Sequence, residues 1–123
     1  MKENVSNTIK IILEAASDKK AHNFKLIDIS KISSITDYFL ICSVNNTKQA
    51  EAVADNIVES MSDNEVEIGH KEGYRSGNWI LLDYNNIVVH IFIRDERNKY
   101  NLENMWLDGK GIDVEKFGIE NWS

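Results

Sequence analysis

The chain has 123 residues, 42% of them hydrophobic and 28% charged, enough for one domain that buries its own core without disulfide or metal staples. Fourteen Lys and Arg against twenty Asp and Glu give a formal net charge of −6, which argues against binding bare RNA or DNA, because that affinity is built on phosphate neutralisation. A single cysteine excludes an internal disulfide, no apolar run approaches the roughly 20 residues of a membrane span, and the N-terminus has neither h-region nor cleavage site, so a soluble cytoplasmic protein is expected.

Val5, Ile9, Ile12, Leu13 and Ala16 fall on one helical stripe and predict an amphipathic helix over Val5 to Lys19, capped by Asn4 or Ser6. Asn23 to Ile29 has strand propensity with partial alternation. Tyr38 to Ser43 is a continuously apolar strand, the pattern of a central position covered on both faces. Cys42 lies inside that run and reads as a small buried hydrophobe rather than a nucleophile. Ala50, Val53, Ala54, Ile57, Val58 and Met61 keep the helical period over Lys48 to Met61. Asn46 or Thr47 is the expected N-cap, and Gln49 three residues after Asn46 resembles a capping box. Val66 to Ile68 reads as a short strand before the glycine-punctuated segment from Gly69 to Asn78.

The clearest supersecondary signal is a hairpin: Trp79 to Tyr84 and Ile87 to Ile93 joined by Asn85-Asn86, which fits a two-residue type I′ turn. That turn pairs Leu82 with Val89, Leu81 with His90, Ile80 with Ile91 and Trp79 with Phe92. One face then carries Ile80, Leu82, Tyr84, Ile87, Val89, Ile91 and Ile93, a core pattern. The other carries Trp79, Leu81, Asp83, Val88, His90 and Phe92, which mixes large apolar groups with a carboxylate and an imidazole. Arg94 to Tyr100 is highly charged, and Asn101 to Leu107 fits a short helix packing through Leu102, Met105 and Trp106. The order of elements predicts an α/β (α+β) single domain, a mixed sheet of four or five strands flanked by helices. Its extent is 1–108, with 109–123 a glycine-containing tail whose order the pattern does not fix.

No constellation for catalysis emerges. His22, His70 and His90 are isolated, without the spacing of a metal site on a helix, and the strand acids come singly in Asp28-Ile29-Ser30 and Asp83-Tyr84-Asn85. Gly73 and Gly77 are too far apart to cradle phosphate, and Lys19-Lys20 and Lys71 with Arg75 are small basic spots without interleaved aromatics. No catalytic residue, metal or cofactor is therefore expected. Protein recognition remains: Trp79, Tyr74 and Tyr84 are interface types, and they stand beside Glu72, Asp83, Asp95 and Glu96. With Asn78, Leu81 and His90 they form the candidate partner-binding set, suited to a basic protein. Trp79 equally has the reading of a sheet residue buried under a helix.

Several segments in series resemble one family. Asp37-Tyr38-Phe39-Leu40-Ile41, the helix around Gln49 to Ile57, Glu72-Gly73, Gly77 to Tyr84, Val88 to Phe92, Arg97, Tyr100, Leu102-Glu103 and Trp106 look like the ribosomal silencing factor family RsfS, also termed Iojap-like, over roughly Val5 to Asp108. The resemblance implies a fold similar to nucleotidyltransferases without their activity, and a tendency to homodimerise. It also implies binding to the large ribosomal subunit through its fourteenth protein, which blocks joining of the small subunit and lowers translation when nutrients are scarce. A large-subunit assembly factor is the alternative, and a nucleotidyltransferase-like enzyme a more distant one. Two features depart from the family pattern: Asn85-Asn86 replaces the common Gly-Asp turn, and Val44-Asn45-Asn46 replaces a glycine-containing loop.

Overall fold

The computed structural model describes residues 2–34, 36–74, 78–100 and 109–122. In chain order the elements are α1 (Lys2–Asp18), β1 (His22–Asp28), β2 (Tyr38–Val44), α2 (Thr47–Asp63), β3 (His70–Glu72), β4 (Trp79–Asp83), β5 (Ile87–Ile93), α3 (Arg94–Tyr100), β6 (Lys110–Ile112) and a 3-10 turn at Val114–Phe117. The strands form one mixed sheet in the order β3-β4-β5-β2-β1-β6, in which only β2 and β5 run parallel. A parallel pair needs a crossover, and α2 with the β3–β4 pair supplies it.

Helices α1 and α2 lie together on one face of the sheet. Ile9, Ile12, Leu13 and Ala16 from α1 and Ala50, Val53, Ala54, Ile57 and Met61 from α2 close over Leu26, Leu40, Cys42, Ile80, Leu82, Val89 and Ile91. The α2 stripe therefore falls where its period predicts. Its start does too: the Gln49 N–H donates to Asn46 Oδ1 at 2.8 Å, while Gln49 Oε1 accepts the Asn45 N–H at 2.7 Å, a capping box shifted outward by one residue. The Asn56 amide donates to the Ala15 carbonyl at 2.8 Å and pins the two helices to each other. Helix α1 starts earlier than expected, at Lys2, so Asn4 and Ser6 lie inside it and not at its cap.

The hairpin pairs as the alternation predicts, from Trp79 with Phe92 to Leu82 with Val89. Its turn differs. A type I′ turn needs positive φ at both central residues, whereas φ is +75° at Asn85 and not positive at Asn86. The Asn86 N–H donates to the Tyr84 carbonyl at 2.9 Å, and Asp83 Oδ1 accepts the Asn85 N–H at 2.8 Å, so a γ-type turn is braced by an Asx contact.

Among the described residues six strands are present where four or five were expected, because the two edge strands are three residues long and mostly polar. His70–Glu72 is a strand and Val66–Ile68 is not; Lys110–Ile112 pairs antiparallel with β1. The segment 109–122 is tied down further: Asn121 exchanges hydrogen bonds with the Phe24 backbone at 2.8 and 3.1 Å, and the Asn23 N–H donates to the Trp122 carbonyl at 2.6 Å. The charged run Arg94–Tyr100 is helical, continuing directly from β5. The helix expected at Asn101 to Leu107 lies outside the described residues. Between β3 and β4, Gly73 sits at φ +92°, and a Cβ there would lie 1.9 Å from the Trp79 carbonyl oxygen, so only glycine fits this close approach.

Candidate functional site

Side-chain alternation along three adjacent strands builds a second sheet surface, facing away from α1 and α2. Trp79, Leu81 and Asp83 of β4 stand opposite Phe92, His90 and Val88 of β5, and Phe39 and Ile41 of β2 lie beside Val88 and His90. Ile27, Ile29, Ile41 and Phe92 are its buried floor, with Phe39 and Trp79 packed against them. A sheet apolar on both faces needs this second cluster, and it gives Trp79 a firm support.

His90 is at the centre of this surface and only 3% exposed. The Trp79 indole N–H donates to His90 Nδ1 at 3.0 Å. The same indole stacks on Phe92 with ring centres 4.9 Å apart, and Phe39 meets the imidazole edge-on at 4.8 Å. A ring nitrogen that accepts a hydrogen bond carries no proton, so the neutral imidazole holds its proton on Nε2. That atom is buried and has no hydrogen-bond partner among the described residues. Burial pushes the His90 pKa from 6.5 down to about 4, so the ring is neutral at pH 7. Trp79, Leu81 and Phe39 keep part of their surface in solvent.

The acids are arranged around this centre. Glu72 is exposed and lies across from Leu81 on the edge strand, 3.5 Å from His70 Nε2 in a pair both of whose members are solvated. Asp83 faces the same side while bracing the turn. The Asn78 carbonyl accepts the Ile93 N–H at 3.1 Å and closes the hairpin beside Trp79. Asp95 and Glu96 form the first turn of α3, just past the Phe92 end of β5, where carboxylates complement the helix dipole.

Tyr74 and Tyr84 are not brought to this face. The Tyr74 hydroxyl lies 3.2 Å from the Asp55 carboxylate of α2, and its ring packs against the helical core, where burial and then Asp55 push the phenol well above its usual range. Tyr84 is 6% exposed in the same core, and burial pushes its phenol up to about 12. The signal was available: Tyr84 shares parity with Leu82 and Ile80. Phe39, absent from the expected set, belongs to the aromatic cluster, and alternation within Tyr38 to Ser43 would have placed it there.

The Cys42 thiol is fully buried and pushed up to about 12, and among the described residues no group of three His, Cys, Asp or Glu side chains could hold a metal ion. A cleft of about 770 Å³ lined by Asp28, Asp37, Tyr38, Lys110, Asp113 and Lys116 lies at the other end of β2 from Trp79 and is mixed in charge. Among the described residues no helix is long and apolar enough to cross a membrane.

The described residues form a small mixed α/β domain with α1 and α2 on one sheet face and, on the other, an aromatic cluster with carboxylates beside it. The family model described as "Ribosomal silencing factor during starvation" matches residues 2–122, beyond the Asp108 limit of the resemblance seen in the sequence, and the chain belongs to that family. It is 38% identical over 116 residues to the ribosomal silencing factor RsfS of Bacillus subtilis, covering 94% of this chain and 98% of that one. Among solved structures it is similar to a Bacillus halodurans protein (35% identity, TM-score 0.76, 85% of this chain and 95% of that chain). A Chromobacterium violaceum protein gives 26% identity and a TM-score of 0.79, over 95% and 88% of the two chains.

Proposed function

We propose that this chain acts in the cytoplasm as a translational silencer: it binds the large ribosomal subunit through a basic ribosomal protein, the fourteenth, and by occupying that surface keeps the small subunit from joining under nutrient limitation. The observation that carries this reading is Trp79, partly exposed and fixed by His90 and Phe92 on a face that also holds Glu72 and Asp83. An apolar anchor rimmed by negative charge complements a basic protein surface, and the net charge of −6 favours a protein over RNA as the contact. The action is occupancy rather than catalysis and uses no cofactor. Family membership supports this reading.

Trp79→Ala tests it. Truncating a hot-spot tryptophan costs about 2 kcal/mol, roughly thirtyfold in affinity. A folded variant that binds purified large subunits as tightly as the wild type would sink the assignment of this face. Running the assay at several protein concentrations separates a homodimer that competes for the same face from a simple loss of contact.

A further inference from the structure

We propose that His90 is a positioning residue: as the Nε2–H tautomer it accepts the Trp79 indole N–H and fixes that ring as a pre-oriented anchor, one that offers a partner its π surface rather than its hydrogen-bond donor. This rests on the reading of this face as the partner-binding surface.

The placement supports it. β5 has β4 on one side and β2 on the other, so the His90 backbone is held by ladders on both sides, and its ring is 3% exposed. Trp79, on the shorter strand β4, is partly exposed, and a large side chain in that position has rotamer freedom to lose on binding. Contacts to two of the described residues restrict it beforehand. The Phe92 stack at 4.9 Å sets the plane of the indole, and the bond to Nδ1 at 3.0 Å sets its direction within that plane.

A stability argument alone does not account for histidine here. Leucine or phenylalanine would fill the volume, and the imidazole leaves Nε2 buried with no hydrogen-bond partner among the described residues, which costs the fold. What histidine adds is an aromatic nitrogen acceptor at the position the indole N–H reaches. The consequence for the partner is chemical. With its single donor satisfied inside the protein, the indole needs no acceptor from outside. Methylene groups or the planar guanidinium of an arginine suit its surface, and Glu72 and Asp83 on the same face favour the cation.

The test uses full-length protein and two variants, His90→Leu and His90→Gln, each checked for folding by circular dichroism. The first removes the acceptor; the second keeps one in its amide oxygen. Hydrogen exchange of the Trp79 indole N–H, assigned by its absence in Trp79→Phe, is followed by NMR on the free protein, and affinity for purified large ribosomal subunits is measured alongside. Slow exchange is expected in the wild type and in His90→Gln, and fast exchange in His90→Leu. Affinity should fall roughly tenfold in His90→Leu and stay within about threefold in His90→Gln. Fast exchange in the wild type, unchanged affinity in His90→Leu, or equal weakening of both variants would overturn the proposal, the last by showing a merely structural role. A wild type with a protected indole that does not bind large subunits would support the positioning and overturn the function read for the face.

Discussion

The buried imidazole makes the protein acid-sensitive in a window that can be calculated. In the unfolded chain His90 titrates near 6.5, whereas in the fold burial holds it at about 4. Between these values the unfolded state binds a proton that the folded state refuses. The stabilisation is therefore fully present above pH 6.5 and is lost as pH falls, by about 1.4 kcal/mol per pH unit and about 3 kcal/mol in all. His22, also buried, is shifted in the same direction, chiefly by burial, so the total acid response exceeds the share of His90. The difference between the wild type and His90→Gln isolates that share. Urea unfolding followed by far-UV circular dichroism at pH 7 and pH 5 should show the wild type losing about 2 kcal/mol more than the variant over that interval. Equal losses would mean that His90 titrates alike in both states, and the buried neutral tautomer on which the Trp79 contact depends would be wrong.

Two further substitutions probe the frame around this face. Gly73→Ala would combine a left-handed backbone with a Cβ 1.9 Å from a strand carbonyl, so it should lower stability by about 2–4 kcal/mol in denaturant unfolding and loosen the β3–β4 edge that carries Glu72. The Arg97 guanidinium, 6% exposed, donates to the Asn23 carbonyl and, at 2.9 Å, to Ser43 Oγ, joining α3 to β1 and β2. Arg97→Met keeps much of the packing and drops these bonds, so a loss of about 2 kcal/mol is expected, and Arg97→Lys should restore only part of it because an ammonium lacks the planar fork.

Legibility from sequence followed periodicity. The hairpin register could be written down because a two-residue turn and a period of two leave one pairing, and it holds from Trp79 to Leu82. α2 was legible from its stripe and its Asn46 cap. The edge strands His70–Glu72 and Lys110–Ile112 were not, since three mostly exposed residues carry no alternation to read. α3 was missed for a related reason: among its described side chains the buried one is Arg97, a charged residue that no apolar pattern flags. Within the site, parity correctly put Trp79, Leu81, Asp83 and His90 on one face. It could not show that His90 and Trp79 bond to each other, because a cross-strand register names opposites, and Trp79 is opposite Phe92 while its indole reaches diagonally to His90. Tyr74 and Tyr84 were grouped with Trp79 by residue type, and type does not say which face a side chain takes.

The central claim is that occupancy of the large subunit prevents joining. Large subunits preincubated with the wild-type protein, then mixed with small subunits and separated on a sucrose gradient, test it directly. The account predicts that the protein co-sediments with large subunits and that the joined particle is depleted, with Trp79→Ala restoring it. A joined particle at full yield that still carries the protein would contradict it.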